Sequence, residues 1–187
     1  GEEELIGTNV HFCATCDGAF YKGKKVLVIG GGNSGFEEGL LLTRFADQVD
    51  IVEYEPKVKA SHILRESVAR NEKMTVTVNH EVKEFKGENR LETVLVEDRE
   101  TGEVKEWDYD GVFVFIGLTP NTVLVEDLVE LNDFGFCETD KTLMTTQEGL
   151  FASGDVRADS TKQAASAAGE GATVALMIRE YIQDLGG

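Results

Sequence analysis

Long apolar runs are missing from this chain. No stretch reaches the roughly 18 consecutive apolar residues that mark a membrane-spanning helix, so no membrane span is expected. The first eight residues, GEEELIGT, are acidic and lack the basic and apolar regions of a signal peptide. Basic residues are scarce, 18 Lys and Arg against 35 Asp and Glu, for a net charge of −17. That balance disfavours nonspecific nucleic-acid binding, which depends on cations neutralising phosphates. Cysteine is sparse too. An odd count of three argues against a structural disulfide framework. There is no internal repeat and no low-complexity tract. The expectation is a soluble, cytoplasmic protein without nucleic acid or membrane as partner.

What is present suffices for a core. The 187 residues are 41% hydrophobic, which fits one domain, or one domain plus part of another. Residues 1–8 read as a linker. The run KVLVI at residues 25–29 reads as a buried strand. A glycine cluster at residues 30–35 follows, then helical character over residues 36–45. QVDIVE at residues 48–53 is a second strand. Pro56 breaks the chain, and residues 61–70 read as a helix with Ser61 as N-cap. Residues 74–78, 81–85, 91–98 and 104–109 are strand-like, with a hairpin turn at Thr101-Gly102. GVFVFI at residues 111–116 is another buried strand. A long helix is expected from about Lys162 to Tyr181, its first half dense in alanine and glycine.

Gly30-Gly31-Gly32-Asn33-Ser34-Gly35 fits G-x-G-x-x-G. Glycine clusters occur in many turns, and the pattern alone is weak. Here a strand precedes it, a helix follows, and a second strand ends in the acid Glu53, the frame of a dinucleotide site. Gly30 permits the tight turn, Gly32 lets a pyrophosphate approach the backbone, and Gly35 lets helix and strand pack closely. The helix N-terminus offers N–H groups and partial positive charge to phosphates. Glu53 lies where an acid accepts hydrogen bonds from both ribose hydroxyls. A 2′-phosphate there meets like charge, to which Glu55 adds and which Lys57 and Lys59 partly offset. Local electrostatics therefore favour NADH over NADPH.

Cys13-Ala14-Thr15-Cys16 has the spacing of a reversible dithiol/disulfide, and a helix start lends thiolate character. Asp17 follows and is placed to shuttle a proton. Three readings stand side by side: redox catalysis, half of a zinc site with His11 and Cys137 as further ligands, and two buried structural cysteines. No second CxxC exists, and His11 lies awkwardly close for chelation.

CATCDG at residues 13–18, VIGGGNS at 28–34, Gly117-x-x-Pro120-Asn121, GLFASGD at 149–155, Lys162-Gln163-Ala164 and Gly169-Glu170-Gly171 occur in that order. Together they resemble the low-molecular-weight thioredoxin reductases over nearly the whole chain. The resemblance implies an α/β flavoenzyme. It has a Rossmann-like, three-layer nicotinamide-binding domain (parallel sheet plus antiparallel β-meander) at residues 9–117. Residues 118–187 would be the C-terminal part of an FAD-binding domain, and residues 1–8 the return segment from it. By resemblance Cys16 faces the flavin, Cys13 exchanges with the partner disulfide and Asp17 is the general acid. The nicotinamide nucleotide is expected on Gly30, Gly31, Gly32, Asn33, Ser34, Glu37, Glu53, Tyr54, Lys59, Ile116 and Gly117. Gly154, Asp155, Lys162, Gln163 and Ala164 are further expected cofactor residues, Asp155 matching the holder of the flavin ribityl chain and Gln163 and Ala164 positions beside the flavin ring. Electrons would run from NADH or NADPH through FAD and the cysteine pair to thioredoxin, a glutaredoxin-like protein or a peroxiredoxin, in a homodimer.

Two departures from the family pattern stand out. The family's N-terminal FAD-binding glycine motif is absent, so this chain by itself is expected to be inactive and to bind FAD poorly. The His-Arg-Arg run of NADPH-dependent members is replaced by Glu53-Tyr54-Glu55, with Lys59 at the last basic position. Val52-Glu53-Tyr54-x-Pro56-x-x-Lys59-Ala60 is instead similar to the flavoprotein subunit of alkyl hydroperoxide reductase, an NADH user. A nicotinamide-binding module or sensor without turnover is the rival reading, and a small metal-binding protein a weaker third.

Overall fold

The computed structural model describes residues 1–186. It divides into two compact units, Gly1–Gly117 and Leu118–Gly187, each taken by itself below.

In the first unit, β1 (Val10–His11), β2 (Lys25–Ile29), β3 (Gln48–Val52), β4 (Met74–Thr77) and β8 (Gly111–Val114) form one sheet in the order β1-β8-β2-β3-β4. Every neighbouring pair is parallel. A sheet covered on both faces needs strands apolar on both faces, which is why β2 reads as an unbroken apolar run. Val26 and Val28 pack with Phe36, Leu42, Val49, Ile51 and Val68. These come partly from α3 (Asn33–Leu42) and α4 (His62–Ala69). Leu27 points the other way, into a cluster with Val52, Phe85, Val94, Val96 and Val112. That second layer is the antiparallel meander β5 (His80–Lys86), β6 (Thr93–Asp98) and β7 (Val104–Trp107). The result is the three-layer α/β arrangement expected from the sequence: helices, parallel sheet, meander.

One charge sits inside this core. Asp50 of β3 is buried. It accepts hydrogen bonds from Tyr109 Oη at 2.9 Å, from Gln48 and from Thr75, and Lys25 Nζ lies 3.5 Å away. A buried carboxylate without such partners costs several kcal/mol.

Some boundaries differ from the sequence reading. Residues 1–8 are not an extended linker: α1 (Glu2–Leu5) is a helical turn, and Leu5 is fully buried in the meander-side cluster. Helix α3 begins at Asn33, three residues earlier than the apolar pattern suggested, because Gly32 in extended conformation serves as its N-cap. Ser61 caps α4, its Oγ 3.5 Å from Leu64 N.

The second unit holds short bridges and one long helix, α5 (Ala164–Leu185). It starts after Lys162, whose φ of 56° is incompatible with a right-handed helix. The Ser166 hydroxyl lies 3.4 Å from the Gln163 N–H and donates to the Gln163 carbonyl. A small cluster of Val129, Cys137 and Ala152 forms the core here, while α5 buries none of its residues. Among the described residues no helix is long and apolar enough to cross a membrane.

Candidate active site

In an open parallel sheet, ligands bind beyond the carboxyl ends of the strands where the strand order reverses. Here the reversal falls at β2, flanked by β3 on one side and β8 on the other. The glycine turn leaves β2 at that point. Gly30 has φ 119°, and a Cβ on it would lie 2.3 Å from the Phe115 carbonyl oxygen. Its N–H donates to Val52 O at 2.9 Å. At Gly35 a Cβ would come within 1.9 Å of Gly30 O, so α3 lies against the strand end only because residue 35 is glycine. Gly32 is different: nothing lies within 4 Å of where its Cβ would be. That open cradle at a helix N-terminus fits a pyrophosphate.

The loop after β3 closes on the turn. The Lys59 and Ala60 N–H groups donate to Gly31 O at 2.9 and 3.1 Å, and Ser61 N–H donates to Asn33 Oδ1 at 2.8 Å. Glu53 Oε2 accepts the Gly31 N–H, and Oε1 accepts the Glu55 N–H at 2.8 Å. The acid singled out as a ribose acceptor therefore also braces the turn. Each carboxylate oxygen has a second lone pair, so both tasks are compatible. Tyr54 is half exposed and carries the Arg99 guanidinium 3.6 Å from its ring centroid; Arg99 also donates to Tyr54 O at 2.8 Å. Sequence reading missed Arg99, because it comes from the turn after β6. Ser34 and Glu37 are exposed on the first turns of α3, and Ile116 and Gly117 follow β8, Ile116 being three-quarters exposed.

Cys13 and Cys16 are joined by a disulfide, with Cα atoms 5.3 Å apart. The pair sits at the start of α2 (Ala14–Asp17), where Cys13 is the N-cap and its Sγ accepts the Cys16 N–H at 3.1 Å. Cys16 is exposed and Cys13 partly so. Asp17 Oδ2 lies 3.3 Å from Nδ1 of buried His11, whose Nε2 lies 2.7 Å from Tyr21 Oη. Burial pushes the His11 ring below its ordinary value, against the opposing pull of Asp17, and burial pushes Tyr21 up to about 12. Cys137 is buried in the second unit's core. Among the described residues no group of three or more His, Cys, Asp or Glu side chains is arranged to hold a metal ion.

In the second unit, Gly154 has φ 75° and its N–H donates to Glu170 Oε2 at 2.7 Å. Arg157 grips the same carboxylate with two hydrogen bonds, at 2.7 and 3.2 Å. This holds the turn bearing Asp155 against the start of α5, and leaves Asp155, Gln163 and Ala164 exposed. Lys162 Nζ is turned away to the Arg157 carbonyl at 2.8 Å and over the Phe136 ring. The glutamate's part is legible only as the middle of Gly169-Glu170-Gly171; its arginine partner carried no sequence signal.

Comparison with known proteins agrees with this geometry. The sequence profile described as pyridine nucleotide-disulphide oxidoreductase matches residues 1–171. The chain is 43% identical over 186 residues to a thioredoxin reductase of Bacillus subtilis (strain 168), covering 99% of this chain and 59% of that protein. It is 40% identical to a thioredoxin reductase of Peptoclostridium litorale, at 99% and 61% coverage. The crystal structure of thioredoxin reductase from Streptococcus pyogenes MGAS5005 superposes with a TM-score of 0.91 at 36% identity, covering 98% of this chain and 60% of that one. The chain thus belongs to the pyridine nucleotide-disulphide oxidoreductases. Within them it is a member of the low-molecular-weight thioredoxin reductase family, which uses FAD and NAD(P)H. It spans about 60% of the length of these relatives.

Proposed function

We propose that this chain carries the nicotinamide site and redox disulfide of an NADH-preferring reductase that passes electrons to thioredoxin or a similar redox protein. The observation that carries the reading is the pairing, in one unit, of an open glycine cradle at the sheet's switch point with a helix-capping Cys13–Cys16 disulfide. When bound, the nicotinamide would supply a hydride and FAD would pass its electron pair on to the disulfide. The chain's own residues do the rest. Gly32 and the N-terminus of α3 receive the pyrophosphate. Glu53 takes the adenosine ribose, and its charge disfavours a 2′-phosphate. Cys16 faces the flavin, Cys13 exchanges with the partner, and Asp17 moves the proton. Residues 9–117 form the nicotinamide domain. Residues 118–187 belong to the flavin domain, with Asp155 holding the ribityl chain and Gln163 and Ala164 beside the flavin ring. An α5 rich in small residues and without a buried one supports that assignment.

The test uses protein expressed from the complete reading frame. A yellow protein bleached faster by NADH than by NADPH, with two thiols appearing, is expected. A Cys16→Ser variant should keep flavin bleaching and lose disulfide turnover. A colourless protein, or one indifferent to Cys16, overturns the reading.

A further inference from the structure

His11 is buried, 5% exposed, beside the helix that carries the disulfide, and nothing in the electron path described above uses it. It sits on β1, the edge strand that pairs with β8. Three groups fix its ring. Phe113 of β8 stacks against it with centroids 5.1 Å apart, and Tyr21 meets it edge-on at 5.3 Å. Tyr21 Oη, in the 3-10 turn Gly18–Tyr21, lies 2.7 Å from Nε2 and 3.5 Å from Thr8 O. The third group is the Asp17 carboxylate, 3.3 Å from Nδ1. Besides burial, the Asp17 carboxylate and the Thr8 backbone act on the ring's charge. Tyr21 in turn feels Asp17 and Asp110, and Lys24 lies over its ring.

A ring that stays neutral carries one proton. Tyr21 has one hydroxyl proton; given to Nε2 at 2.7 Å rather than to Thr8 O at 3.5 Å, it leaves Nδ1 to face Asp17, which as a carboxylate can only accept. The hydrogen-bond pattern is complete when the proton is on Nδ1 and points at Asp17 Oδ2. Asp17 is about a third exposed, and it follows Cys16 directly in the short helix that Cys13 caps.

We propose that His11 is a positioning residue of the redox centre: held by Tyr21 and Phe113, it donates from Nδ1 to Asp17 and aims that carboxylate at the cysteine pair. The inference rests on the proton-transfer role of Asp17 stated under the proposed function. In dithiol oxidation Asp17 takes the proton of one cysteine thiol. The resulting thiolate attacks the partner disulfide, whose S–S bond breaks, and Asp17 returns the proton to the departing partner sulfur. The second cysteine then displaces the first partner sulfur, its own proton passing through solvent. Two electrons leave the cysteine pair, which closes as a disulfide, and the partner becomes a dithiol. Without the His11 bond the Asp17 side chain rotates freely, and a misaimed base loses much of its effect.

The experiment needs neither flavin nor nicotinamide. The chain is reduced, freed of reductant and mixed with glutathione disulfide, and closure of the pair is followed by acid quench and mass spectrometry. Asp17→Asn should slow closure by about a hundredfold, the lower range for a lost acid–base group. Asparagine places an amide N–H where Nδ1 sits, so His11→Asn should stay within about threefold of the unmodified rate. His11→Phe refills the space between Tyr21 and Phe113 without a donor, and should be about tenfold slower at an unchanged melting temperature. If His11→Phe is as fast as the unmodified chain while Asp17→Asn is slow, the ring is only packing and the proposal fails alone. If Asp17→Asn is itself unimpaired, the role given to Asp17 falls, and this inference with it. Nitrogen NMR of the unmodified chain gives a readout independent of variant folding: a neutral ring protonated at Nδ1 is expected, and a ring protonated at Nε2 overturns the proposal.

Discussion

Glu53 and Gly31 are bonded across 22 residues of sequence: the carboxylate of the second strand's end accepts the N–H of the glycine turn at the first strand's end. A Cβ on Gly31 would fall 2.6 Å from Glu53 Oε2, so glycine there and glutamate at 53 require each other. Under the proposed function the same carboxylate faces the adenosine ribose. Replacing it by glutamine keeps an acceptor for the Gly31 N–H, gives up the one for the Glu55 N–H and removes the charge. Glu53→Gln should therefore shift the ratio of NADPH to NADH affinity towards NADPH by roughly fivefold, the size of a screened charge–charge interaction of ~1 kcal/mol. Glu53→Ala also removes the brace and should weaken both nucleotides. Titration calorimetry with each nucleotide decides it; an unmoved ratio in Glu53→Gln would show that the charge does not discriminate.

The three fingerprint glycines should separate on substitution. A methyl at Gly35 strikes the Gly30 carbonyl, whereas one at Gly32 meets nothing in the protein within 4 Å, and the backbone at Gly32 (φ −84°) tolerates a side chain. Gly35→Ala should lower stability by about 1–3 kcal/mol, the usual cost of overpacking. Gly32→Ala should melt like the unmodified chain and lose nucleotide affinity at least tenfold, because its methyl stands where phosphate oxygens would approach. Equal melting temperatures for the two variants would contradict this division of labour.

Much of this was legible in the sequence, for local reasons. The strand at residues 25–29, the glycine turn and the Cys13–Cys16 spacing each declare themselves within a few residues, and the apolar runs matched a sheet covered on both faces. The rest depends on contacts that no local pattern encodes. Glu53 was readable as a strand-end acid, but not as the brace of a turn 22 residues upstream. His11 drew notice only as a metal ligand, since its partners Asp17, Tyr21 and Phe113 come from three other elements. Leu5 lay in what read as a linker, and its burial follows from the meander folding over the sheet.

Glu38 offers a pH-dependent test of the first unit. Its Oε2 is buried without a hydrogen-bond partner among the described residues. Burial holds the carboxyl above the ordinary 4.5, against a hydrogen bond from the Ala14 backbone. A raised folded-state value means the native chain binds the extra proton, so this contribution is present below the ordinary value and is lost as pH rises through the raised one. Glu38→Gln removes that titration. Urea unfolding across this range should show the stability difference between variant and unmodified chain moving in the variant's favour as pH rises. A pH-independent difference would mean that Glu38 ionises as freely folded as unfolded.

Glu170 behaves in the opposite sense, in the second unit. Two hydrogen bonds from Arg157 and one from the Gly154 N–H hold its carboxyl down to about 2, from an ordinary 4.5. A depressed folded-state value contributes stability above the ordinary value, which disappears as pH falls from about 4.5 to about 2. Glu170→Gln keeps the shape but breaks the charge pair and strands the half-buried guanidinium. The loss expected near neutral pH is about 2 kcal/mol, typical of charge-assisted hydrogen bonds. It should shrink towards zero at the acid end of that window, where the unmodified carboxyl is protonated too. The turn from Gly154 to Arg157 hangs on this carboxylate, so amide hydrogen exchange there should quicken in the variant at neutral pH and converge with the unmodified chain in acid. A variant whose exchange at Gly154 stays slow at neutral pH would show that the turn is held by its backbone alone.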